Sequence, residues 1–248
     1  LKQYLDLVAL GTVCDVVQLK GLNRAFVKEG IDVIAKKQRL GIEGLRAISS
    51  SKDIGVTELG FRIGPRINAA GRTGASDLGF RLLTSQSDDE VMAISERLNN
   101  LNQQRQNIEQ TVLFEATNII EEELASKKLN SIPNSIVVNG EGWHLGVLGI
   151  VASRLKEKYY RPSFVVSTND GISTGSARSV SGIDVGELII DAVNRGILNS
   201  GGGHKMAGGF SLDSSRFEEF KEFCEKKIFD KVDESTLKKI NLYDDIID

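Results

Sequence analysis

Residues 135–167 read SIVVNGEGWHLGVLGIVASRLKEKYYRPSFVVS. Ser135 to Val138 is a short run rich in β-branched residues and closed by glycine, which predicts a strand. From Val147 to Tyr159 apolar residues recur at three- and four-residue steps, which predicts a helix. Pro162 punctuates the chain and Ser163 to Ser167 returns to a strand pattern. Towards the carboxy end the alternation continues, with a strand at Ser173 to Ala177, a helix from Asp184 to Arg195, a strand at Ala207 to Leu212 and a helix from Ser214 to Phe229. Strands and helices in this rhythm define a compact α/β domain.

Towards the amino end, Asp88 to about Lys128 contains neither proline nor glycine. Val91, Ile94, Leu98, Leu101, Ile108, Val112 and Ile119 form one apolar seam of a single long helix. At ~1.5 Å per residue it would run about 60 Å, too long for one small domain, so it is expected to span two. Arg105 interrupts the seam, which favours a monomer over a coiled-coil dimer. Before it, the segments 4–19, 23–38, 43–50, 57–63 and 77–84 read as short packed helices.

The chain has 248 residues, 40% of them hydrophobic, enough for two modest domains. No apolar run approaches the roughly 20 residues that cross a bilayer, so no membrane role is expected and the cytoplasm is the expected compartment. Cys14 and Cys224 lie far apart without a second thiol or histidine at ligand spacing, as free thiols of a reducing compartment would. A net charge of -3 argues against coating a polyanion by bulk charge, so a nucleic acid has to be held by a local pocket. The chain opens on Leu1, directly against a structured apolar run, and is expected to be a piece of something longer.

No P-loop, dinucleotide fingerprint, HExxH or CxxC is present. Four other constellations carry chemistry, the third of them in two stretches, GEGWHLGVLGIVASR and GSARS. In VALGTVCDVVQL, Val8 to Leu19, Asp15 is the sole acid of an apolar stretch; it reads either as a capping or ion-paired structural residue or as a hard-metal ligand. In GPRINAAGR, Gly64 to Arg72, proline and glycines predict a rigid turn that presents Arg66, Asn68 and Arg72 to a phosphate, or ties them to surface acids. In GEGWHLGVLGIVASR, Gly140 to Arg154, Gly146 and Gly149 open a helix whose amino end suits an anion. Packing is the preferred reading of Trp143, while His144 has no assigned role. In GSARS, Gly175 to Ser179, the polar side chains of Ser176 and Arg178 would project from one face of a strand. In SGGGHKMAGG, Ser200 to Gly209, five glycines surround His204. Read as a loop, the run lets backbone amides and His204 meet a phosphate, with Gly202 and Gly203 beside it.

Taken in order, VALGTVCDVV, GPRINAAGR, GEGWHLGVLGIVASR, GSARS and GGGHKMAGG resemble the RecJ family of DHH-type phosphoesterases over nearly the whole chain. The resemblance implies an α/β architecture: the carboxy-terminal part of a DHH domain at residues 1–87, a connecting helix at 88–128, a DHHA1 domain at 129–232 and the start of a truncated OB-fold domain at 233–248. It implies metal-dependent 5′-to-3′ hydrolysis of single-stranded DNA in repair and recombination, with Mn²⁺ or Mg²⁺ as cofactor. Asp15 would be a metal-ligating catalytic residue and His204 a catalytic contact to the phosphate. Arg66, Asn68, Arg72, Ser176, Arg178, Gly202, Gly203 and His204 would bind nucleic acid. Ala177 departs from the glycine common in the family. A single-strand-binding protein and a helicase are the partner classes left open. The DHH motifs of the family are absent, so the isolated chain is expected to be inactive. The rival readings are a phosphodiesterase of short oligonucleotides or cyclic dinucleotides and a non-catalytic nucleic-acid-binding remnant. A longer link than small-substrate members generally have favours the exonuclease.

Overall fold

The computed structural model describes residues 1–49, 54–72, 77–126, 132–231 and 237. It divides into two compact units, Leu1–Asn107 and Ile108–Asp248.

The first unit is helical among its described residues. Helices α1 (Leu5–Cys14) and α2 (Gly21–Ala35) pack closely because Gly30 carries no side chain; a Cβ there would lie 2.2 Å from the carbonyl oxygen of Leu5. Helix α3 (Leu40–Ser49) follows, then α4 (Val56–Glu58), a π-helical turn (Leu59–Ile63) and α5 (Gly64–Arg72) in one run, then α6 (Leu78–Thr84). The first part of α7 (Asp88–Ser126) completes the unit. Leu10, Leu45, Leu59, Ile63, Leu82 and Leu98 are buried in its core. Buried Asp6 is neutralised by Arg39, whose Nη1 donates to the carbonyl of Leu83 at 2.7 Å, tying α1 to α6.

Two sequence expectations fail here. GPRINAAGR is not a turn but helix α5. Pro65 has no N–H for an i−4 carbonyl and its ring crowds that carbonyl, and the wider π turn just before it accommodates both effects without ending the helix. The expected helix over 4–19 ends at Cys14, where Asp15 to Lys20 leave the helix.

In the second unit the chain builds a five-stranded sheet of order β1-β2-β3-β5-β4, from β1 (Ile136–Glu141), β2 (Ser163–Asn169), β3 (Ile172–Arg178), β4 (Ser200–His204) and β5 (Ala207–Asp213). β1 and β2 are parallel and joined through helix α8 (Leu145–Tyr159); the other pairs are antiparallel. Alternate residues of each strand serve opposite faces. One face carries Phe164, Ala177, Phe210 and Leu212 and packs on helices α9 (Val185–Asn194) and α10 (Phe217–Phe229). Phe164, Phe210 and Phe220 pack with ring centroids 4.8 to 6.3 Å apart. The other face packs Ile136, Val138 and Val165 against α8 and against Val112, Ala116 and Ile120 of α7.

The division between the units falls within α7. Its expected seam is right as far as Val112, but Ala116 and Ile120 are buried where Ile119 was expected, and Ile119 is 40% exposed. Steps of four carry the buried face from 112 to 120, because alternating steps average 3.5 residues and drift from the helical 3.6. Residues 233–248, apart from Leu237, lie outside the described residues. Leu237 packs against the α9–α10 core, and its carbonyl accepts from Arg161 Nη1 at 2.9 Å.

Candidate nucleic-acid interface

The strand register sets the geometry of the second unit's site. Arg178 pairs with Ala207, which pairs with His204; Ser176 pairs with Gly209, which pairs with Gly202. These two rows share one sheet face, with Arg178 and His204 two strands apart, about 10 Å from backbone to backbone. The expectation that Ser176 and Arg178 project from one face is met. The expectation of a flexible glycine loop is not: Ser200 to Gly209 is a β-hairpin, with a two-residue turn at Lys205 and Met206.

Packing explains some of the hairpin glycines and leaves others unexplained. A Cβ on Gly201 would meet Ile189 Cγ2 at 2.6 Å, one on Gly208 would meet Ile189 Cδ1 at 2.4 Å, and one on Gly203 would meet the carbonyl oxygen of Ala207 at 2.3 Å. These three are glycines because helix α9 and the hairpin's own backbone lie too close. Gly202 has nothing within 4 Å, and the nearest atom to a Cβ on Gly209 is the Gly175 oxygen at 3.8 Å. Among the described residues no contact requires either to be glycine, and each weakens a strand by roughly 0.5–1 kcal/mol relative to alanine. They leave bare backbone on that face, which a ligand could approach closely.

The flank of this clear lane is α8. Gly149 stands against Arg178 and Ser176, so that a Cβ there would lie 2.7 Å from Arg178 Nη2 and 3.1 Å from Ser176 Oγ. Arg178 Nη1 donates to the carbonyl of Ala177 at 2.8 Å and to Ser176 Oγ at 3.3 Å, which holds its head beside the serine. His204 is exposed, and its Nδ1 accepts from Met206 N–H at 3.3 Å. Acceptance at Nδ1 leaves the proton of a neutral ring on Nε2, which is then a donor. His144, unassigned from sequence, caps α8, its Nδ1 accepting from Gly146 N–H at 3.1 Å. Trp143 is packed as expected: it is 5% exposed, its Nε1 donates to Glu115 at 2.7 Å, and Gly140 lies against its ring.

In the first unit the proposed residues are arranged differently. Asn68 is exposed on α5 and lines a cavity of about 340 Å³ with Gly11 and Cys14 of α1. Gly64 abuts Cys14, whose thiol is pushed up first by burial and then by neighbouring Asp15. Arg66 does not share that side, since two helical residues separate it from Asn68 by ~200°. It is half-buried, and its guanidinium is engaged by Asn99 Oδ1 at 3.0 Å and the Arg62 carbonyl at 2.8 Å. Burial lowers its pKa, with Glu58 opposing. The Arg72 side chain lies outside the described residues.

Asp15 corrects the picture of a buried carboxylate with a partner. It is exposed, it follows the last residue of α1, and it makes no ion pair among the described residues. A helix carboxy terminus is the unfavourable end for an anion. Beside it Val16 has φ 55 and is 86% exposed. Val17 N–H donates to Thr12 and Val16 N–H to Val13, both at 3.1 Å, a Schellman closure with valine where glycine is usual. Two local penalties therefore meet at Asp15, a pattern typical of functional positions. Among the described residues no three histidine, cysteine or acidic side chains stand together to hold a metal ion, so one carboxylate alone does not make a metal centre here.

The sequence reading missed the roles of Gly149 and Gly209. Spacing alone signals Gly209, which stands two residues before Ser211 on the face shared with Ser176, but its partner Gly202 is known only from pairing.

The sheet with its helices is a DHHA1 domain: residues 132–229 match that family. Over nearly its whole length the chain is similar to RecJ proteins. It is 36% identical over 246 residues to the single-stranded-DNA-specific exonuclease RecJ of Dickeya dadantii, covering 97% of this chain and 42% of that protein. The RecJ structure from Thermus thermophilus in complex with Mg²⁺ matches with a TM-score of 0.80 at 35% identity, over 92% of this chain and 35% of that one. The Mn²⁺ complex from the same organism also matches at 0.80, over 94% and 33%. The chain spans about two fifths of the Dickeya protein. No described helix is long and apolar enough to cross a membrane.

Proposed function

We propose that this chain supplies the DNA-gripping part, and one metal ligand, of a RecJ-type 5′-to-3′ exonuclease specific for single-stranded DNA. The observation that carries the proposal is the clear lane of Gly202 and Gly209, flanked on the same sheet face by Ser176, Arg178 and His204. A phosphate laid on bare backbone would meet a guanidinium, a hydroxyl and an imidazole N–H, with charge-assisted bonds to the arginine. The RecJ names and the Mg²⁺ and Mn²⁺ complexes support the same reading.

In this proposal residues 1–87 belong to a DHH domain, 88–128 to the connecting segment and 129–232 to the DHHA1 domain; the expected start of an OB-fold domain at 233–248 lies, Leu237 apart, outside the described residues. Ser176, Arg178, Gly202, Gly203 and His204 bind the strand, and Arg66, Asn68 and Arg72 contribute from the DHH side. Asp15 is one ligand of a divalent ion whose other ligands are not among the described residues. That ion supplies activation of water and polarisation of the phosphate when bound; the residues described grip and orient the strand. The working compartment is the cytoplasm, and the molecule acts as a monomer, with single-strand-binding protein or helicase as candidate partners.

The test is binding of 5′-phosphorylated and 5′-hydroxyl single strands by this chain and its Arg178→Ala variant, alongside a nuclease assay in Mn²⁺. The expected result is binding without cleavage, with Arg178→Ala costing about 1.5–3 kcal/mol for the phosphorylated strand and less for the other. Chelator-sensitive cleavage by the purified chain, or equal weakening for both strands, contradicts the assignment of the chain or of Arg178 respectively.

A further inference from the structure

The β4–β5 turn consists of Lys205 and Met206, and three hydrogen bonds fix it. Ser179 N–H donates to the carbonyl of Met206 at 2.9 Å, Val185 N–H to that of Lys205 at 3.2 Å, and Met206 N–H to His204 Nδ1 at 3.3 Å. Ser179 just past β3, the amino end of α9 and the histidine thus all hold a turn whose first residue is an exposed lysine.

The charge on that lysine is unusual for its unit. Arg154, Lys158, Arg195, Arg216, Lys221, Lys227 and Lys231 each face a carboxylate. Lys205 makes no ion pair or side-chain hydrogen bond among the described residues. Lys226 shares that property, but it lies on α10, against the opposite face of the sheet. Lys205 therefore places an uncompensated positive charge on a fixed turn, next in sequence to His204 and at the end of the row that runs from Arg178 through Ala207.

We infer that Lys205 is a further phosphate-binding residue of this face, contacting by charge the backbone phosphate adjacent to the one held by Ser176 and Arg178. The inference rests on the nucleic-acid reading of the sheet face. A lysine acts there as a point charge with no demand on geometry. Its contribution is therefore affinity for the strand, not discrimination between 5′ ends, and it must be salt-dependent.

The experiment titrates a 3′-labelled oligothymidine, with and without a 5′-phosphate, into the chain over a range of salt concentrations. The variants are Lys205→Gln, Lys205→Arg, Lys226→Gln and Arg178→Ala. For Lys205→Gln the slope of log affinity against log salt should fall by about 0.7, the value for one phosphate contact on a single strand. That loss should be equal for both 5′ ends, restored in Lys205→Arg and absent in Lys226→Gln. An unchanged slope in Lys205→Gln, or the same fall in Lys226→Gln, overturns the inference. If that happens while Arg178→Ala still weakens binding, the lysine assignment fails alone. If Arg178→Ala is also without effect, the reading of the face fails with it.

Discussion

Gly149 of helix α8 and Arg178 of strand β3 are in such close contact that a methyl group on the glycine would stand 2.7 Å from Arg178 Nη2. The atom in the way is the far end of a flexible side chain, and the guanidinium, not the helix, would give. Gly149→Ala is therefore expected to leave the fold intact, with a gain of up to ~1 kcal/mol from better helix propensity. Displacing Arg178 should weaken binding to 5′-phosphorylated single strands several-fold. Thermal denaturation and binding measured on the same variant check both halves. A variant that is destabilised, or that binds normally, shows that the contact does not position the arginine.

The hairpin glycines separate into two kinds by the same reasoning. Gly203→Ala forces a Cβ to within 2.3 Å of the Ala207 oxygen and 2.6 Å of Gly208 Cα, both backbone atoms. It is expected to destabilise the DHHA1 domain by about 1–3 kcal/mol or more, as overpacking against atoms that cannot rotate away does. Gly202→Ala meets nothing within 4 Å and should stabilise the strand by roughly 0.5–1 kcal/mol. Yet it should reduce affinity for single strands. Urea denaturation with parallel binding curves distinguishes the two variants; normal binding by Gly202→Ala would show that the lane is not a contact surface.

How much of this the sequence reveals depends on whether a feature is patterned. The strands and helices of the second unit follow from period-two and 3.6-residue spacings, and the common face of Ser176 and Arg178 follows from strand alternation alone. The glycines have no such pattern. Gly201, Gly203 and Gly208 are required by helix α9 and by strand pairing, both set by residues elsewhere in the chain, so the run reads locally as a loop. Gly64 and Pro65 likewise read as punctuation, while the helix they interrupt is kept by the π turn and by close packing on Cys14. Asp15 reads as buried because its neighbours are apolar, but Val16 and Val17 are exposed with it once α1 has ended.

Ser95 offers a test of packing in the first unit that is independent of function. It is fully buried on α7, its hydroxyl has no hydrogen-bond partner among the described residues, and it faces Gly44 of α3, where a Cβ would come within 2.6 Å of its oxygen. An unsatisfied buried hydroxyl costs about 1–3 kcal/mol, and alanine also has the higher helix propensity. Ser95→Ala should therefore raise stability by roughly 1 kcal/mol, read as a higher urea midpoint at unchanged slope. A loss of stability would mean that the hydroxyl has a bonded partner.

At the carboxy end of α1, stability and chemistry pull in opposite directions. Asp15 is an anion at the negative end of a helix, and Val16 holds φ 55 in a closure that favours glycine. If the fold alone selected these residues, both would be poor choices. Val16→Gly relieves a left-handed strain of about 1–3 kcal/mol for a non-glycine residue, partly offset by the ~0.5–1 kcal/mol entropic cost of glycine. Asp15→Asn removes the unfavourable charge while keeping size and hydrogen-bonding capacity. Each variant of this chain is therefore expected to melt at or above the parent temperature. In an enzyme completed around this chain, Asp15→Asn should lower turnover by orders of magnitude while single-strand binding changes little, because the proposed phosphate grip lies mainly in the DHHA1 domain. Higher Mn²⁺ should recover part of that loss by mass action if the carboxylate is a metal ligand. A lower melting temperature for Asp15→Asn in this chain, together with near-normal turnover in the completed enzyme, would return Asp15 to a purely structural role.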